Sequence, residues 1–155
     1  MRKKATMRAN FKLQRLYLDA PLVPRQRAAM RKEQAHYLLT VLRMAEDQQV
    51  LVFNGRDGEF LSALKPLSKK AAELEIVEQT RPQPPLPRLD FLFAPLKVGR
   101  LEYLVQKATE MGVRQITPAF TDHTQLHKVN AARLEANILE AAEQCGNLAI
   151  PQLQE

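Results

Sequence analysis

Residues 97–113 limit the possible folds of this chain more than any other stretch. Leu101, Leu104, Val105, Ala108 and Met111 recur at helical spacing, while Glu102, Gln106, Lys107 and Glu110 fall on the opposite side. That pattern predicts an amphipathic helix over 99–111, ended by Gly112 in a left-handed cap. Apolar residues 89–94 before it and 113–118 after it read as strands. Strand, helix and strand with short joints make a βαβ unit, whose two strands lie parallel with a right-handed crossover.

The stretches on either side extend this unit or lead into it. Asn130 is placed to cap a helix over 131–145, with Leu134, Ile138, Leu139 and Ala142 on its buried face and Gly146 at its end. Leu148 to Pro151 then reads as the start of a further strand. Upstream, 81–88 holds four prolines in six residues and favours an extended connection. Before that connection come strands at 16–18, 49–53, 60–64 and 73–78, and a helix at 33–44 that buries Ala35, Leu38, Leu39 and Leu42. A Pro21/Pro24 loop joins the first strand to this helix. Asn54 to Gly58 is a hairpin turn signal. Two domains follow: 1–80, with a disordered start over 1–10, and 89–155, joined by the linker 81–88.

The chain carries a net charge of +6, and its distribution is one-sided. Residues 1–80 hold 15 Lys/Arg against 9 Asp/Glu, whereas 81–155 hold 8 of each. Such a field either solubilises the chain or attracts a polyanion, nucleic acid before membrane because no basic amphipathic helix accompanies it. No apolar run is long enough to span a bilayer, and Met1 to Lys4 is followed by no apolar core of a signal peptide. A lone Cys145 fits a reducing, cytoplasmic setting.

Few residues announce chemistry. The five glycines are too scattered for a dinucleotide fingerprint or a phosphate loop. His123 and His127, with Asp122, lack a third strong ligand, so no metal site is expected. Cys145 reads as an inert thiol. Glu143 and Gln144 lie in the last helical turn, read as beside the C-terminal edge of the parallel sheet, where open α/β sheets bind ligands. Arg15, His36 and Arg43 stand in the cationic part, where Arg engages phosphate bidentately and His donates to phosphate or stacks on a base.

Several stretches together resemble one family. Arg15-Leu16-Tyr17, residues 36–44, Val52-Phe53-Asn54-Gly55, Lys69-Lys70, residues 97–112, Ile116-Thr117-Pro118, residues 140–146 and Pro151 are similar to stretches of the bacterial 16S ribosomal RNA uracil-N3 methyltransferases, of the SPOUT (trefoil-knot) class. The resemblance implies a mixed α+β and α/β chain. A PUA-like β-barrel that binds RNA would precede the first, incomplete half of an α/β SPOUT methyltransferase domain. It implies S-adenosylmethionine (SAM) as methyl donor, N3-methyluridine in small-subunit RNA as product, a homodimer, and an active site at the knot. By position, Arg15, His36 and Arg43, with Lys97 and Arg100, would contact RNA, and Glu143 and Gln144 would line the catalytic pocket. The chain departs from the family in three places. The family's Gly-Pro-Glu-Gly-Gly loop and knot, the main SAM contact, lie beyond Glu155, so no cofactor-binding residue is assigned. Asn147 stands where the family has Arg, and Asp122-His123 where it has Glu-Arg. The expectation is an rRNA methyltransferase fragment, inactive by itself, with a non-catalytic RNA-binding or ribosome-assembly module as the alternative.

Overall fold

The computed structural model describes residues 10–97, 99–124 and 126–154. Apart from Asn10, the expected disordered start lies outside the described residues. The chain divides into two compact units, Met1–Gln83 and Pro84–Glu155. Arg81 is the last residue of a strand, so regular structure runs one residue into the stretch read as a linker.

The first unit contains β1 (Arg15–Tyr17), β2 (Arg27–Ala29), α1 (Lys32–His36), β3 (Gln49–Phe53), β4 (Glu59–Ser68) and β5 (Ala71–Arg81). The sheet order is β1-β3-β4-β5-β2; β1 runs parallel to β3 and the other pairs are antiparallel. Leu16, Val50, Val52, Leu64, Leu74 and Ile76 meet in one core under α1. The β3–β4 turn is held by the buried Asn54. Its Oδ1 accepts from the Arg56 and Asp57 amides, and its Nδ2 donates to Ala20 O and the Asp57 carboxylate.

Three expectations change here. Among the described residues no pairing joins β1 to β2, so the sheet is open where a closed barrel was expected. β2 lies in the Pro21/Pro24 region read as a loop. Three residues carry little periodicity, and pairing with distant β5 creates the strand. The helix expected over 33–44 is α1 followed by a π-helical segment, Tyr37–Val41, in which the Leu42 amide bonds back to Tyr37 O. The wider turn rotates the following residues off the 3.6-residue repeat. Leu42, read as buried, is 40% exposed.

The second unit contains β6 (Asp90–Phe93), α2 (Arg100–Glu110), β7 (Gln115–Pro118), α3 (Ala131–Cys145) and β8 (Gln152–Leu153), with all three strands parallel in the order β6-β7-β8. α2 and α3 pack together on one face of the sheet, where Leu101, Val105, Ile116, Leu134 and Ile138 form the core. Leu92 points to the other face and is 64% exposed. Pro151 has no N–H to donate, so the β8 ladder begins at the Gln152 amide, bonded to Arg114 O. Met111, read as the last buried position of α2, is 80% exposed because the helix ends there and nothing packs beyond it.

Asn130 caps α3 as its sequence position predicts, its Oδ1 accepting from the Arg133 amide at 3.1 Å. Asn130→Ala should cost about 1 kcal/mol, read from chemical denaturation. A change near zero would mean that packing alone sets the start of α3.

Candidate functional site

The cationic residues of the first unit do not all face solvent. Arg15 is 4% exposed and Glu59 1%. The Arg15 Nε donates to Glu59 Oε2 at 2.7 Å, its Nη2 donates to Asn10 O at 3.0 Å, and its guanidinium lies over the Phe11 ring. Glu59 also accepts from Arg81 Nε at 2.9 Å, from Arg81 Nη2 at 2.7 Å and from Thr80 Oγ1 at 2.8 Å. Burial pushes the Glu59 carboxyl up, but the hydrogen bonds from Arg81, Arg15 and Thr80 outweigh it and leave the group below the ordinary carboxylate value. The expectation for Arg15 as an exposed RNA contact is corrected to this extent: its guanidinium is buried and committed to an internal carboxylate.

His36 and Arg43 are exposed, as an interface requires. Arg43 occupies the left-handed region at φ 53°, just after the π-helical segment, and the Met44 amide bonds back to Leu38 O. A non-glycine residue there costs roughly 1 kcal/mol or more. Arg25, also at positive φ (67°), Arg31 and Lys32 are exposed in the same unit.

In the second unit a cleft of about 730 Å³ opens beyond the C-terminal ends of β6 and β7. Residues Ala94, Pro95 and Leu96 form one wall, and Lys97, Arg100, Thr121, His123 and Thr124 supply its polar groups. Lys97 and Arg100, expected by position as RNA contacts, both line this cleft. His123 and the two threonines line the cleft but were not among the expected site residues; His123 was read as a candidate metal ligand and as a departure from the family's Glu-Arg pair. Their signal was available: the loop after the second strand of a βαβ unit lies where parallel sheets bind ligands. Among the described residues no three His, Cys, Asp or Glu side chains gather as a metal site.

Glu143 and Gln144 lie elsewhere. α3 returns the chain to the start of β8, so its last turn is at the N-terminal edge of the sheet. The Asn147 Nδ2 confirms this placement by donating to Thr109 O in the last turn of α2, at 3.1 Å. Gln144 is exposed and lines a groove of about 290 Å³ between α2 and α3, with Tyr103, Gln106 and Asn137. Glu143 is half-buried. The reading that put both beside the ligand-binding edge had the direction of α3 reversed.

Residues 82–155 match the family model of an RNA methyltransferase domain, and residues 31–77 match that of an RNA methyltransferase PUA domain. The chain is therefore similar to RNA methyltransferases that carry a PUA domain ahead of the methyltransferase domain. Ribosomal RNA small subunit methyltransferase E of Rickettsia conorii is 29% identical over 145 residues, covering 93% of the chain and 59% of the relative. The protein of the same name from Buchnera aphidicola (Acyrthosiphon pisum) is 27% identical, with 94% and 60% covered. A candidate methyltransferase of Legionella pneumophila, solved with SAM bound, superposes with a TM-score of 0.80 at 28% identity, covering 92% of the chain and 62% of that structure. The chain spans about 60% of the length of the curated relatives it matches.

Proposed function

We propose that this chain is the RNA-engaging part of an enzyme that methylates uridine N3 in 16S ribosomal RNA, with SAM as donor. The observation that carries this reading is the order of the two family matches, a PUA domain followed by a methyltransferase domain, in a chain whose first unit exposes His36 and Arg43. An Arg kept at a positive-φ position, where glycine is easier, supports selection for its side chain. A homodimer and a cytoplasmic setting belong to the same reading. Among the described residues no helix is long and apolar enough to cross a membrane.

The methyl donor fits the residues present poorly. SAM carries its methyl on a cationic sulfur, and the cleft at β6 and β7 presents Lys97 and Arg100. The scattered glycines assemble no loop to hold it. No chemical step is therefore assigned through the donor in this chain, and Glu143 and Gln144 keep at most a role in shaping the α2–α3 groove. Uracil N3 must lose its proton as it takes the methyl, which calls for a base or for donors to the uracil anion. The chain contributes RNA contacts to that reaction.

The test is transfer of labelled methyl from SAM to small-subunit RNA, by this chain and by any longer protein that contains it, followed by nucleoside analysis. N3-methyluridine is the expected product, and a different methylated nucleoside overturns the assignment. Titrating SAM into the chain itself should give no heat. Micromolar binding would show that the donor site is already present. The alternative, an RNA-binding or ribosome-assembly module without catalysis, draws on the exposed cations of the first unit alone. It predicts RNA binding with no methyl transfer by this chain or by any longer protein that contains it.

A further inference from the structure

We propose that the cleft beyond β6 and β7 is a phosphate site for the RNA backbone, with His123 as a third hydrogen-bond donor beside the cations Lys97 and Arg100. The proposal rests on the reading above only for the source of the anion; the chemistry is read from the cleft. Lys97, Arg100 and His123 line one opening, and among the described residues no acidic side chain lines it with them. Among the described residues none of the three has a side-chain hydrogen bond or an ion pair. The nearby carboxylate of Glu102 is occupied, since Arg133 Nε lies 2.6 Å from its Oε1. Three donor-bearing side chains left unpaired around a cavity form an anion site in search of its charge.

Two further features fit an oxyanion. The Thr124 Oγ1 accepts from the Thr121 amide at 2.8 Å, and the two threonine hydroxyls share one hydrogen bond at 2.9 Å. Two hydroxyl protons serve one mutual bond, so one remains to donate into the cleft. Arg100 is also the first residue of α2, whose N-cap Gly99 offers no capping side chain. The positive end of that helix faces the same region, and the one acid of its first turn, Glu102, is held by Arg133. A volume of about 730 Å³ exceeds one phosphate and admits a nucleotide with its phosphate.

The experiment titrates a short oligouridylate into the chain by fluorescence anisotropy, at several salt concentrations between about 50 and 200 mM. In parallel, inorganic pyrophosphate is titrated while the Thr121 and Thr124 amide resonances are followed. Arg100→Ala and His123→Ala should each weaken oligouridylate binding severalfold to roughly tenfold. Arg100→Ala should also reduce the salt slope by about 0.7, the single-strand value per phosphate contact. His123→Arg should tighten binding, because a guanidinium is permanently charged and bidentate. Pyrophosphate should shift both threonine amides in the wild type but not in the double alanine variant. If the wild type binds oligouridylate and the variants match it in affinity and slope, the site is overturned while RNA binding by the chain stands. If pyrophosphate moves the threonine amides but oligouridylate does not bind, the cleft takes a free anion. The RNA assignment then fails, and with it the RNA-engaging role of the chain.

Discussion

Replacing Glu59 with Ala destabilises the first unit by about 3–5 kcal/mol, the cost of leaving buried charge without its partner. The carboxylate accepts four hydrogen bonds, three from Arg15 and Arg81 and one from Thr80. Without it, the Arg15 guanidinium stays in the interior, where it also meets Asn10 O and the Phe11 ring, with no Glu59 carboxylate to balance its charge. Domains are stable by only about 5–15 kcal/mol, so the variant will be close to unfolding at room temperature. Chemical denaturation followed by circular dichroism measures this, and a loss below about 1 kcal/mol would show that water reaches and solvates the site. Glu59→Gln keeps the shape but has one acceptor oxygen in place of two, so it retains at most half of these hydrogen bonds and leaves two cations uncompensated. It should also destabilise, by less. The pH dependence has a definite sign. Because the folded carboxyl lies below its ordinary value of 4.5, its contribution is complete above that pH and is lost as pH falls through the folded value. Stability of the first unit should therefore decline only on the acid side, and less steeply in Glu59→Gln. Arg15→Ala belongs to the same series. It should lower stability, and its folded fraction should keep its RNA affinity.

The second large effect is expected at Gly58, which has φ 95° and sits beside the end of β5. A Cβ there would lie 2.4 Å from Arg81 O and 2.9 Å from Gln83 N. Both are backbone atoms, so relief requires moving the strand end that carries Arg81 onto Glu59. The positive φ by itself costs an alanine roughly 1–2 kcal/mol, and the displaced strand raises the total for Gly58→Ala to about 3 kcal/mol. Gly112→Ala is the control: φ is 79°, but nothing lies within 4 Å of its Cβ position. That variant should show the conformational cost alone, roughly 1 kcal/mol. Equal losses at the two glycines would refute the close-approach argument.

The local elements of this chain were legible from its residues. α3 begins after Asn130 and ends before Gly146, and β3 spans Gln49–Phe53, because caps, turns and periodicity act over a few neighbours. The βαβ unit was readable for the same reason. Lys97 and Arg100 were named from the family resemblance, by position. His123 was overlooked, since only the parallel pairing of β6 and β7 brings the loop at 121–124 beside the start of α2. The direction of α3 likewise had to be followed through the sheet before Gln144 could be placed.

Charge patterning alone thus determined that the first part of the chain is cationic and suited to a polyanion. Tertiary structure decided which cations are available to one. Arg15 and Glu59 are 44 residues apart and meet only because β1, β3 and β4 pair side by side. A buried carboxylate must be neutralised where the sheet puts it. The arginines that do so are set by strand register, which a count of charges along the sequence does not contain.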